Sequence, residues 1–477
     1  MEEDINIIDT GEGAKDGQTK CPKCGATDIS LNTGTGMLRC NFCRHTFKPE
    51  SLDDMATGVG DLEGDQIGSG AADIDEGAEQ TVTLKCTSCG AEVVIDLNES
   101  SQARCHWCRN MLSINSKVPN GTVPDVVLPF KMKKQEAEQK IAEYVGKRKF
   151  FANKTFKAEF NTNNVMGVYF PYMLVDMKGH ATFDGVGEVE TGSYTRHIDD
   201  DNTETIYKVE SYNVHRECDV EIDDLTVESN SRRETGSDKS ETNNIINAIL
   251  PFDTENCVKY DANYLKGFSS EKRDVNRSDL QPVVDSQEQE AIKFALNDSV
   301  KKYDRGVRWD NVNVDKKGEK WLAAYLPVWL YSYVQNAGQP NALTHFVAVN
   351  ARTAETVGSV PINKGRMWPI SILVGVIVAA IAGLLVTRNA APDDLGKNII
   401  IIVAAGLISF LICYFAIYGR YRNAGARHHF ESETKINVSS ITEDDSFLDK
   451  FETTDGSMYS ANNETVNVQH MQLKKQE

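Results

Sequence analysis

Eight of the eleven cysteines fall in one spacing used twice. Cys21-x2-Cys24-x15-Cys40-x2-Cys43 recurs as Cys86-x2-Cys89-x15-Cys105-x2-Cys108. A C-x-x-C turn aims two sulfurs at one point, and two such turns about 15 residues apart close a tetrahedral site with a short hairpin between them. Gly25 and Gly90 follow the first turn of each set, where backbone freedom lets amides face the sulfurs. The pattern predicts two zinc ribbons, residues 20–48 and 81–115, each holding one Zn2+ through its four thiolates. Iron in a rubredoxin-like site and dithiol redox chemistry are the alternatives the same donors allow. A site closed by four thiolates has no open coordination position, so the metal folds the module and does not catalyse. Cys218, Cys257 and Cys413 stand apart, and no disulfide framework is indicated.

The remaining chain divides by composition. Residues 1–19 are acidic and lack the apolar run of a secretion signal. Residues 49–80 form an acidic segment expected to be a flexible linker: nine acids and no Lys or Arg lie between Ser51 and Gln80. Residues 124–364 are expected to be a cytoplasmic mixed α/β domain. Helices are predicted over Gln135–Lys147 and Asp285–Lys302, and strands over Val165–Phe183, Thr205–Val227, Trp321–Val334 and Phe346–Val360, with a turn at Asn350–Glu355. Leu128-Pro129-Phe130 is echoed by Leu250-Pro251-Phe252, and Tyr169-Phe170-Pro171 by Tyr325-Leu326-Pro327, which suggests a diverged duplication. Proline within such strands implies an edge or a bulge.

Two uncharged apolar runs follow, Met367–Thr387 and Ile399–Tyr418, each long enough at ~1.5 Å per residue to cross a bilayer core. Lys364, Arg366, Arg420, Arg422 and Arg427 flank the pair, so a two-span cell-membrane hairpin with both termini cytoplasmic is expected. Gly375, Ala379 and Gly383 in the first run, and Ala405, Ser409 and Cys413 in the second, form small-residue stripes that pack the hairpin or join subunits. No charge lies within either span, so no ion pathway is indicated. Residues 431–477, with ten acids and four Lys, are expected to be mostly disordered, Phe447–Phe451 included.

The fold class expected is thus α+β and multidomain: two ribbons, a β-rich domain and a transmembrane hairpin. The net charge of −19 disfavours a large nucleic-acid footprint. Basic residues do flank the ribbons, and Phe42 and Trp107 within the second knuckles are expected to cover the ribbon cores. His45 and His106 are expected at the surface or behind the ligands. No phosphate loop, nucleophile elbow or zinc-protease motif occurs, and His180, His197, His215 and His345 have no ligand spacing, so no enzyme is expected.

The order of ribbons, LPF segment, Gly167-Val168-Tyr169-Phe170-Pro171 strand, second LPF, Tyr325-Leu326-Pro327-Val328-Trp329 strand and membrane segment resembles the bacterial membrane proteins with TFIIB-type zinc ribbons. Some of these carry a helicase-like label, which the missing phosphate loop argues against. The resemblance covers most of the chain up to the first membrane run; the acidic tail does not align with it. It implies a non-enzymatic scaffold with partners of the SPFH-domain or phage-shock-protein-A type in membrane stress. The runner-up is a membrane-tethered nucleic-acid or transcription regulator.

Overall fold

The computed structural model describes residues 6–8, most of 21–48, 58–72, 82–85, 92–95, 104–107, 117–118, 124–197, 203–230, 249, most of 252–336, 343–389, 395–422 and 435–454. The chain is a mixed α/β structure dominated by one large sheet. Before the main domain lie β1 (Asn6–Ile8), β2 (Ile29–Asn32), β3 (Met37–Cys40), β4 (Thr46–Phe47), β5 (Gly64–Gly68), β6 (Val82–Lys85), β7 (Glu92–Ile95) and β8 (Lys117–Val118). The domain supplies β9 (Val126–Val127), β10 (Met166–His197), β11 (Thr203–Glu228), β12 (Val258–Lys259), β13 (Ser269–Glu271), β14 (Val307–Gln335), β15 (Leu343–Asn350) and β16 (Thr356–Gly358). A last strand, β17 (Lys435–Thr453), follows two apolar helices. Strands β2, β3 and β4 form a small sheet; the other fourteen join the large one.

Its frame is the antiparallel series β14–β10–β11–β17. Strands β10, β11 and β14 run 32, 26 and 29 residues, far beyond the usual five or six, so each has two differently covered halves. Residues 166–177 of β10 and 319–333 of β14 are almost continuously buried, because apolar clusters cover them on both faces. Farther out, burial alternates residue by residue, as expected for a ribbon covered on one face. That cover comes from a helix, Arg277–Leu296, which buries Leu280, Val284, Ala291, Ile292 and Leu296.

The two Tyr-x-Pro motifs meet. Tyr169 lies opposite Pro327, Pro171 opposite Tyr325, and Phe170 opposite Leu326. Neither proline is at an edge of the sheet. On the side away from β14, β10 pairs with β13 at Val168 and Tyr169, then with β11 from Tyr172 onward. On the side away from β10, β14 pairs with β9 at Ala324 and Tyr325, then with β15 from Val328. Each proline therefore sits where its strand changes neighbours, and its missing N–H costs no ladder bond. The carbonyls still work there: Pro171 accepts from the Ser229 N–H at 3.2 Å and Pro327 from Ala351 at 3.1 Å. Arg352 donates to the Pro129 carbonyl at 3.2 Å and pairs its guanidinium with Asp253, next to Phe252, at 2.5 and 2.7 Å.

The helix predicted over Gln135–Lys147 is Lys134–Gly146, with Ala137, Ile141 and Val145 buried. Two expectations are corrected. The acidic segment 49–80 is not merely a linker: β5, within it, pairs in parallel with β14 and with β1, and Ile67 and Ala71 are buried. Within the tail 431–477, expected to be mostly disordered, residues 435–453, Phe447–Phe451 included, form β17, which pairs with β11 from Tyr207–Thr453 to Asp223–Lys435; residues 431–434 and 455–477 lie outside the described residues.

The apolar helices are Lys364–Asn389 and Leu395–Arg422. Only 11% and 6% of their apolar stretches are buried, unlike core helices. Both are long and apolar enough to cross a membrane.

Candidate metal centres and the helix hairpin

In the small sheet, Cys40 ends β3 and the turn after it returns through Cys43 to β4. Cys21 and Cys24 form the facing turn, closed by the Cys21 N–H to the Ala26 carbonyl at 2.9 Å; the Cys40 N–H bonds to the His45 carbonyl at the same distance. The position that glycine fills after the first turn is Arg44 in the second, and it adopts φ 60° there. Sulfur distances are 3.5 Å for Cys21–Cys43 and 3.6 Å for Cys24–Cys40, and all four sulfurs lie within 4.8 Å of one another. Tetrahedral zinc with ~2.3 Å bonds sets sulfurs about 3.8 Å apart. The donor set and its geometry thus fit one ion. The Cys43 N–H donates to the Cys40 Sγ at 3.4 Å, as amides around a thiolate do.

Burial works against ionising Cys21, but backbone hydrogen bonds from Lys23 and Cys24 outweigh it and bring the thiol down to about 7. At Cys24 the Ala26 backbone favours the thiolate, yet desolvation and the other three sulfurs push it up to about 12. One thiolate forms readily, and charging all four requires a cation among them.

Of the second set, Cys105 is described and fully buried, while Cys86, Cys89 and Cys108 lie outside the described residues. Its surroundings are not those of a module held only by a flexible linker. Strand β7 pairs with β13, so this segment is part of the large sheet. His106 is 1% exposed; its ring nitrogens reach Glu271 at 3.3 Å and Ser269 at 3.4 Å, and its carbonyl accepts from the Ser332 hydroxyl at 2.6 Å. Trp107 donates to Glu271 and packs edge-on to Phe170 and Phe346. Both residues thus dock the knuckle on the domain. The small sheet docks too, with Ile29 and Leu38 in the cluster that holds Tyr264 and Leu265. Phe42, expected to cover a ribbon core, is 80% exposed, with Lys23, Arg39 and Arg44 exposed around it.

The helices of the hairpin meet where Gly375 faces Gly406. A Cβ at Gly375 would lie 2.8 Å from the Gly406 carbonyl oxygen, and one at Gly406 would lie 3.0 Å from the Ala379 Cβ. The first small-residue stripe therefore packs within the hairpin. The second helix answers with Gly406, which periodicity did not single out; Ser409 bonds to the Ala405 carbonyl at 2.8 Å.

Two acidic clusters also have ligand-like geometry, Asp176/Asp223/Asp224 and Asp285/Glu288/Glu319. Each already contains an ammonium. Lys320 lies 2.7 Å from Asp176, and Lys316 lies 2.5–2.8 Å from all three acids of the other cluster. A second cation stands farther off in each, Lys435 at 3.9 Å from Asp223 and Arg277 at 3.9 Å from Glu319, and burial pushes Glu288, the least exposed acid of its cluster, up to about 7. His180 sits between Glu217 and Asp219, His215 bonds to Asp184, and His345 bonds to Ser359 and Gln335.

No family model matches the chain, and no solved structure matches it. It is 24% identical over 370 residues to the uncharacterized protein YdjG of Bacillus subtilis (strain 168). The match spans 76% of this chain and 95% of that protein, so the similarity is not confined to the cysteine motifs.

Proposed function

We propose that the protein is a membrane-anchored zinc-ribbon scaffold that recruits cytosolic proteins to a bacterial membrane. One observation carries the reading. Strand β17, after the helix hairpin, pairs along β11, before it. A sheet cannot form through a bilayer, so if both helices cross, the chain on either side of them lies on one face of the membrane. The flanking Lys and Arg residues support the cytoplasm as that face. The ribbons are then held on the same body, each closed by four thiolates around Zn2+, and Phe42 is presented to partners. Partners of the SPFH-domain or phage-shock-protein-A type are those the family resemblance implies. The exposed basic and aromatic rim of the first ribbon favours a second reading, stacking on single-stranded nucleic acid.

The test is capture of the crosslinked protein from native membranes in mild detergent, with and without nuclease, beside Phe42→Ser. The scaffold reading expects nuclease-insensitive capture of cytosolic proteins that Phe42→Ser weakens. Capture that nuclease abolishes overturns it in favour of the nucleic-acid reading.

A further inference from the structure

We propose that the foot of the helix hairpin carries a binding site for the anionic headgroups of the phospholipid leaflet it enters, formed by Lys149, Lys154, Lys157 and Arg366 around Phe150. The proposal rests on the hairpin spanning a membrane. Residues 147–157 hold five cations and no acid, in a chain of net charge −19. The fold fastens this segment to the hairpin. The Asn363 N–H donates to the Phe151 carbonyl at 2.7 Å, and the Asn153 N–H to the Pro361 carbonyl at 2.7 Å. Arg148 Nε donates to the Arg420 carbonyl at 2.9 Å, and Arg366 Nη1 to the Phe150 carbonyl at 3.2 Å.

The cations so gathered crowd one another. Lys157 is held below the usual lysine range by desolvation first, then by the charges of Arg366, Lys149 and Lys154. Lys147 has Glu143 at 2.7 Å, but among the described residues no ion pair joins Lys149, Lys154 or Lys157 to a carboxylate. Such a group gains most from an external anion, and a phosphate diester fits it. The apolar features choose lipid over free phosphate. Phe150 is 61% exposed with the Arg366 guanidinium 5.8 Å from its ring centre. Trp368, two residues beyond Arg366, is half exposed and packed on Phe410 and Tyr414, an aromatic cluster of the kind found at membrane interfaces. Exposed Ile372 and Leu373 continue from there along the helix. A bound lipid would place its phosphate among the cations and its acyl chains along these side chains.

The experiment uses the full chain in nanodiscs of phosphatidylcholine containing brominated phosphatidylglycerol or brominated phosphatidylcholine at equal mole fraction, read by tryptophan quenching. The site predicts several-fold stronger quenching by the anionic lipid. The preference should vanish in Lys149→Gln/Lys154→Gln/Lys157→Gln, persist in the corresponding triple Lys→Arg variant, and survive millimolar inorganic phosphate. Equal quenching by the two lipids, or a preference that survives the triple glutamine change, overturns the lipid site alone. Loss of the preference to millimolar phosphate reassigns the site to free phosphate. Quenching by neither lipid overturns the membrane-spanning reading and this site with it.

Discussion

At Asp224 the chain keeps a carboxyl 5% exposed, with the Thr254 hydroxyl donating to it at 2.6 Å and φ at 60°. The residue lies in a bulge opposite Asp176, which accepts its backbone N–H at 2.9 Å. Burial, then the Asp176 charge, pushes its carboxyl up to about 7. An unfolded aspartate ionises near ~4. Between those values the folded state holds a proton that the unfolded chain has released, so this contribution to stability is present at acid pH and is lost as pH rises through about 7. Keeping the carboxylate charged at neutral pH costs up to ~4 kcal/mol. Asp224→Asn stays neutral and tolerates the positive φ. Denaturation from pH ~4 to ~8 should show the variant gaining on the parent as pH rises; parallel curves would refute this. The cysteines give a second expectation. If both sets hold zinc as proposed, Cys40→Ser should lower bound zinc from two ions per chain to one, by elemental analysis, with the large sheet intact.

At the scale of elements, the tail strand turns on Asp445. Arg216 is fully buried, its guanidinium forked onto the Asp445 carboxylate at 2.7 and 3.2 Å and onto the Ser299 carbonyl at 3.0 Å. Lys302 reaches the same carboxylate. Burial opposes the Asp445 charge, but Arg216 and Lys302 outweigh it and hold the carboxyl below its usual value. Asp445→Ala leaves the buried guanidinium with only the more distant, half-exposed Glu443 carboxylate at 3.6 Å, at a cost of about 3 kcal/mol. Hydrogen exchange should show β17 amides losing protection while β10 and β14 keep theirs; unchanged β17 protection would contradict this.

Residues 435–453 were misread because β17 is an exposed edge strand whose charges face water, so its composition matches a disordered segment. What binds it is a register along β11 and one buried Arg, both non-local. Strand β5 was hidden for the same reason: Gly64–Gly68 has no alternation to read, and only its pairing with β14 makes it a strand. The helix at Lys134–Gly146, the apolar halves of β10 and β14 and the first cysteine cluster were legible because local periodicity or spacing specifies each. The docking of His106 on Glu271 joins residues 165 apart in the chain, and no spacing rule reports that.

For the whole molecule, the central claim is that the sheet, ribbons and tail strand form one body on the cytoplasmic face of a membrane crossed twice. The β17–β11 pairing makes this a claim about sidedness. The direct measurement is protease access to epitope tags placed at both ends of the full chain, in right-side-out and inverted membrane vesicles. The account predicts that both tags are protected in right-side-out vesicles and removed in inverted ones. Tags cleaved from opposite sides, or both cleaved only from outside, would contradict it.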